Sequence, residues 1–157
     1  MLLAVVLRAC TSTTEPQPPQ KTEAKTQTKK HMKLNAGIIT EKLAETKDFY
    51  CNKLGFGVTF ENDFYLLLHT PGHTAEISFL LPDHPTQQPV FKQAFDGRGV
   101  YLTIELDDVD AFCEKLMNMG IQPVFPLRDE PWGDRHFAVT DPNGVNIDFV
   151  KYSPPQH

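Results

Sequence analysis

Residues 48–60, DFYCNKLGFGVTF, and residues 111–125, AFCEKLMNMGIQPVF, share one pattern: an aromatic-led amphipathic segment, a glycine, then a β-type run. Their surroundings repeat as well. KLNAGIIT (33–40) reads as a short strand. EKLAETKDFYCNKLG (41–55) follows as a helix with Leu43, Thr46, Phe49, Tyr50 and Leu54 near one face and Gly55 as its stop. Three β-type runs come next, GVTFEN, DFYLLLHT and HTAEISFLL, with Pro71-Gly72 turning the last two. After a proline-punctuated connector, PDHPTQQPVFKQAFDGRG, the order restarts with VYLTIEL. Asp107 or Asp108 caps a helix carrying Val109, Phe112, Cys113 and Leu116 at i, i+3, i+4 and i+7, and Gly120 ends it. IQPVFPLRD, DRHFAVTD and VNIDFVKY supply three more strands, and Asp141-Pro142-Asn143-Gly144 suits a hairpin turn. The spacing therefore predicts an α+β fold made of two βαβββ modules, residues about 33–80 and 99–152.

Composition narrows the partners. A net charge of −5 and a pI near 5.6, with no basic stripe or Arg-rich arm, argue against nucleic acid. No apolar run approaches the ~18–20 residues that a membrane span needs. Three scattered cysteines, Cys10, Cys51 and Cys113, with no CxxC, suit a reducing compartment. Residues 1–31 differ from the rest. MLLAVVLRAC is followed by a Thr/Gln/Pro/Lys tract with no apolar period, which reads as a disordered tail. Leu7-Arg8-Ala9-Cys10 is similar to a lipoprotein cleavage box, but the apolar part is short and Arg8 stands where a small residue belongs. A start at Met32 and a cytoplasmic location are adopted, with membrane anchoring through Cys10 as the alternative. Without the tail, ten Lys and Arg face eighteen Asp and Glu, so the folded part carries −8. Residues 32–152 are taken as the domain and 153–157 as a C-terminal tail.

Three motifs give the chain a family resemblance. They are Phe49-Tyr50-x-x-x-Leu54-Gly55-Phe56, Asp107-Asp108-Val109-Asp110, and Trp132-Gly133-x-Arg135-x-Phe137-x-Val139-x-Asp141-Pro142-x-Gly144. Together they resemble the vicinal oxygen chelate superfamily of glyoxalase I, bleomycin-resistance proteins and extradiol dioxygenases. The resemblance implies that each module curls a mixed sheet around a cavity, one sheet face packing on helices and the other lining the cup. It also implies a homodimer, since relatives commonly dimerise. It does not fix a reaction, because this fold hosts several.

Period-two parity then assigns faces. On the last strand Val145, Ile147 and Phe149 face the helix, leaving Asn146, Asp148 and Val150 to the cup. By the same parity Asn35, Gly37 and Ile39, Glu76 and Ser78, and Tyr101, Thr103 and Glu105 face it from the other strands. Trp132 is either a stacking wall for a planar ligand or an aromatic plug, and Arg135 is a base with which a strand acid could pair. The candidate ligand-binding set is Asn35, Glu76, Tyr101, Glu105, Trp132, Arg135 and Asp148.

Metal-dependent relatives imply four ligands, and the motifs carry those positions onto Asn35, Glu76, Tyr101 and Asp148. This quartet has no imidazole, so a tight Zn, Ni or Fe site is not expected. No cofactor is expected, with a divalent metal at Glu76 and Asp148 as the alternative. Among the histidines His69 stays a candidate, while His136 is set aside for having the parity opposite to Arg135. The function that fits is a metal-free binder of a small cationic or aromatic, drug-like compound. The competing readings are a metal-dependent glyoxalase-like lyase or dioxygenase with a non-standard ligand set, and a regulatory partner with a vestigial cup. Two acids in one cup would also raise the pKa of at least one of them.

Overall fold

The computed structural model describes residues 33–153 of the chain. The expectations for residues 1–31 and for most of the C-terminal tail lie outside the described residues. The first module is β1 (Ala36–Ile39), α1 (Leu43–Lys47), β2 (Gly57–Glu61), β3 (Tyr65–His69) and β4 (Glu76–Leu80). The second is β5 (Tyr101–Glu105), α2 (Val109–Asn118), β6 (Phe125–Asp129), β7 (Arg135–Thr140) and β8 (Asn146–Lys151). Each module makes a four-stranded mixed sheet, in the orders β1-β4-β3-β2 and β5-β8-β7-β6. The first and last strands of each module run parallel and the others antiparallel. The duplication extends to irregularities, because β2/β3 and β6/β7 each carry a register shift, between Val58 and Phe60 and between Phe125 and Arg128.

The two helices end alike. Gly55 (φ 86°) and Gly120 (φ 83°) adopt the left-handed conformation that a side chain disfavours. The amides that follow turn back to the helix, Phe56 N to Tyr50 O and Ile121 N to Leu116 O, both at 2.9 Å. Asp108 caps α2, its Oδ1 accepting from Ala111 N at 3.0 Å. The first helix differs from the expected regular α-helix. Beyond Lys47 it continues as a π-helical segment, Asp48–Leu54, and still buries Phe49, Tyr50 and Leu54 together with Thr46.

Alternation fixes which sheet face is inside. Leu66 and Leu68 on β3, Phe137 and Val139 on β7, and Ile147 and Phe149 on β8 are buried and join Tyr50, Phe79, Val109 and Leu116 in one core. The modules are locked together where α1 meets the β7–β8 turn. Tyr50, fully buried, donates its hydroxyl to Asp141 Oδ2 at 3.1 Å. Asp141 Oδ1 accepts the Asn143 and Val145 amides, both at 2.8 Å. Asn143 Oδ1 in turn accepts from Thr40 Oγ1 at 2.6 Å, and Lys42 Nζ donates to Pro142 O at 2.7 Å. Burial above all, then the charge and hydrogen bond of Asp141, push the Tyr50 phenol far above its usual range. The Asp-Pro-Asn-Gly turn is thus a clamp between modules as well as a hairpin connection.

Candidate functional site

Between the modules lies a cavity of about 690 Å³, within the size range of small-molecule sites. The first helix contributes Tyr50 and Leu54 from its π-helical part, and the β3–β4 turn contributes Thr70, Pro71, Thr74 and Ala75. From the second module come β5, Phe112 of α2 and Phe149 of β8. Its aromatic lining is the half-buried Phe56 and Phe112, with Tyr50 and Phe149 almost wholly buried beside them, and the polar rim includes Glu76, Thr103, Glu105 and Asp107. Among the described residues neither Glu105 nor Asp107 has an ion-pair partner.

Glu76 is differently placed. Lys33 Nζ sits 2.8 Å from its Oε2. The hydrogen bond from Lys33 is the main reason its carboxyl is held below the usual carboxylate range, the opposite of the rise expected from two acids sharing a cup. Asn35 precedes β1 and accepts from Ser78 Oγ at 3.2 Å. His69 stands directly across from Glu76 in the β3–β4 register. Its Nδ1 is 2.9 Å from Thr59 Oγ1 and its ring stacks on His73 at 3.5 Å. A Cβ at Gly57 would collide with that ring, so glycine there makes its room.

Asp148 belongs to a second, sheltered cluster, on the face of the β5–β8 sheet opposite to the buried Ile147 and Phe149. Its Oδ1 accepts from His136 Nδ1 at 2.8 Å, and His136 Nε2 donates to Glu130 Oε1 at 3.0 Å. Arg128 Nε reaches the same Glu130 oxygen at 2.7 Å. Both imidazole nitrogens face carboxylate oxygens, which requires both to carry protons. Burial opposes the charged ring, but the hydrogen bonds to Glu130 and Asp148 and their charges outweigh it, and the pKa of His136 is raised. Those partners, His136 first and then Arg128, hold Glu130 low.

His136 corrects the parity argument. Phe137 and Val139 go to the core, so His136 and Ala138 share the face of Asp148, with Ala138 directly opposite it. Arg135 accordingly points to the helix side. It forms a paired hydrogen bond to Asp110 of α2 at 2.8 and 2.7 Å and an ion pair with Asp129 at 3.1 Å. The apolar pair Phe137 and Val139 was the signal that could have identified His136. Trp132 is 63% exposed and donates Nε1–H to Asp134 Oδ2 at 3.0 Å, in the turn before β7. Tyr101 is 69% exposed at the start of β5. The structure thus brings Glu76 and Glu105 to one cavity and places Asn35, Asp148, Arg135, Trp132 and Tyr101 outside its lining. Thr103 stands opposite Asp148 in the β5–β8 register, so that acid lies one strand in from the cavity rim.

Three of the four positions carried over for a metal have other surroundings in the structure. Glu76 is bound by an ammonium, Asp148 by a protonated imidazole, and Tyr101 is exposed. Among the described residues no three His, Cys, Asp or Glu side chains form a group able to hold a metal ion.

Comparison with known proteins agrees with the fold. The bleomycin resistance protein of Geobacillus stearothermophilus is 29% identical over 110 residues, covering 66% of this chain and 83% of that protein. A glyoxalase/bleomycin resistance protein/dioxygenase from Nocardioides superposes with a TM-score of 0.64 at 22% identity, covering 81% of this chain and 89% of its own. A bleomycin-binding protein crystallised with bleomycin superposes at 0.57 and 21% identity, covering 78% of this chain and all of its own. The sequence pattern of one family spans residues 30–149, three quarters of the sequence and both modules. The chain belongs to the glyoxalase/bleomycin resistance protein/dioxygenase superfamily.

Proposed function

We propose that this chain binds a small organic compound, planar or cationic, in the cleft between its modules and without a metal ion. The observation that carries the reading is the cleft itself. Phe56 and Phe112, the half-buried aromatics of its lining, can cover a flat apolar body, while Glu105 and Asp107 on its rim, both without cationic partners among the described residues, favour a positive charge. The net charge of −5 adds a general attraction for cations. Relatives named for bleomycin resistance, and a solved neighbour holding bleomycin, support a sequestering role. His136 has both nitrogens committed to carboxylates, so it offers neither a free lone pair for a metal nor a ready general base.

Two further parts of the reading concern the setting. Val90, Phe91, Val100 and Tyr101 are large apolar side chains left exposed along the connector and the start of β5, which supports a homodimer. Cys51 and Cys113 are free thiols whose pKa values burial raises, which suits a reducing cytoplasm. Among the described residues no helix is long and apolar enough to cross a membrane.

The test is thermal unfolding in the presence of bleomycin, planar aromatic cations and their neutral counterparts. A ligand at one hundred times its Kd stabilises the folded state by about 2.7 kcal/mol, a shift that melting curves resolve readily. A panel that leaves the midpoint unmoved at millimolar concentration contradicts the proposal.

A further inference from the structure

Glu76 is the one carboxylate on the cavity rim that already holds a cation. Lys33 comes to it from the irregular segment Lys33–Asn35, just before β1 and outside the sheet ladder. The Glu76 side chain is only 18% exposed, whereas that of Lys33 is 52% exposed. The carboxylate is therefore sheltered at the start of β4. The ammonium reaches in from solvent on a flexible stem. Such a pair is weak, because water screens it and a long side chain must be ordered to make it.

We propose that Glu76 is the cation subsite of the cavity and that the Lys33 ammonium is its built-in occupant, displaced when an organic cation binds. This rests on the cavity reading above and adds its charge chemistry. An incoming ammonium, quinolinium or guanidinium replaces Lys33 on Glu76 and keeps the carboxylate paired. Its apolar body meanwhile covers the aromatic lining, to which Lys33 does not belong. Lys33 then returns to water, where a lysine is well solvated. Competition by Lys33 selects for ligands that combine charge with an apolar body. A small inorganic or aliphatic cation has no gain with which to displace it.

The experiment uses two probes of matched shape, the N-methylquinolinium cation and neutral 1-methylnaphthalene, titrated into the full chain and into Lys33→Met, Glu76→Gln and the double variant. Melting temperatures of the unliganded proteins verify folding. Removing a partly exposed competitor should tighten methylquinolinium binding about two- to fivefold in Lys33→Met. Methylnaphthalene should bind all four proteins alike. Glu76→Gln should weaken the cation, and adding Lys33→Met to it should change nothing further. If Lys33→Met leaves methylquinolinium unchanged or weakens it while methylnaphthalene still binds, the competition is refuted and the cavity reading survives. If neither probe binds any of the proteins, both are refuted.

Discussion

Replacing Tyr50 by Phe removes a single oxygen from the centre of the protein. The Tyr50 hydroxyl is one of two donors to Asp141 Oδ2, the other being Asn143 Nδ2 at 3.0 Å. Asp141 Oδ1 is satisfied separately by two amides of its own turn. Without the hydroxyl, Oδ2 of the buried Asp141 keeps one donor. Hydrogen bonds to charged groups contribute about 1.5–3 kcal/mol. At 3.1 Å this one belongs in the lower half, about 1.5–2 kcal/mol. The ring stays packed between Phe56 and Phe79, so no cavity term beyond one oxygen is added. For a domain of this size each 1 kcal/mol moves the midpoint by about 3–5 °C, which predicts a fall of roughly 5–10 °C. Circular dichroism melts of wild type, Tyr50→Phe, Asp141→Asn and the double variant measure it. The two single losses should not add, with a coupling of about 1–2 kcal/mol, because both break one contact. A Tyr50→Phe loss under about 0.5 kcal/mol, or strictly additive losses, would refute the clamp between modules.

His136 has a raised pKa, so its two ion pairs stabilise the fold fully below its unfolded value of about 6.5 and are lost as pH rises through the folded value. The stability gap between wild type and His136→Gln should therefore narrow from pH 6 towards pH 9, and a gap that widens over that range would remove the two-carboxylate clamp. Arg135→Met should lower stability by about 0.5–1.5 kcal/mol through its contacts with Asp110 and Asp129. The same substitution should leave methylquinolinium affinity unchanged, since titration showing a tenfold loss would bring Arg135 back into the ligand site. Protein purified without added metal should contain well under one equivalent of Zn, Ni or Fe by elemental analysis. Stoichiometric metal that is lost in Glu76→Gln would favour the lyase or dioxygenase alternative.

Repetition made the architecture legible. Helix periodicity, glycine stops and period-two runs each occurred twice, and pattern and propensity agreed at Gly55, Asp108 and Gly120. Parity correctly put Asp148 on the face opposite to Ile147 and Phe149. It failed for its partner, because Arg135 and His136 are adjacent, polar and equally plausible bases. Only the burial of Phe137 and Val139 decides between them. Lys33 was invisible for another reason. It belongs to no periodic element, and its meeting with Glu76 depends on the parallel pairing of β1 with β4, forty residues away. The cavity likewise draws on a β3–β4 turn, a π-helical segment and β5, a combination that no single periodicity encodes. Asp141 was read from sequence as a turn residue, and its second role as acceptor for Tyr50 comes from packing between modules.

Where a ligand settles is best tested by backbone amide NMR shifts during titration with N-methylquinolinium. A ligand in the cleft predicts shifts concentrated at Thr70–Ile77 and Leu102–Asp107, with Phe56 and Phe112 next, and little change around Glu130, His136 and Asp148. Shifts centred instead on His136 and Asp148, with the cleft residues silent, would place recognition on the other face of the second sheet, opposite to Ile147 and Phe149, and contradict the proposed site.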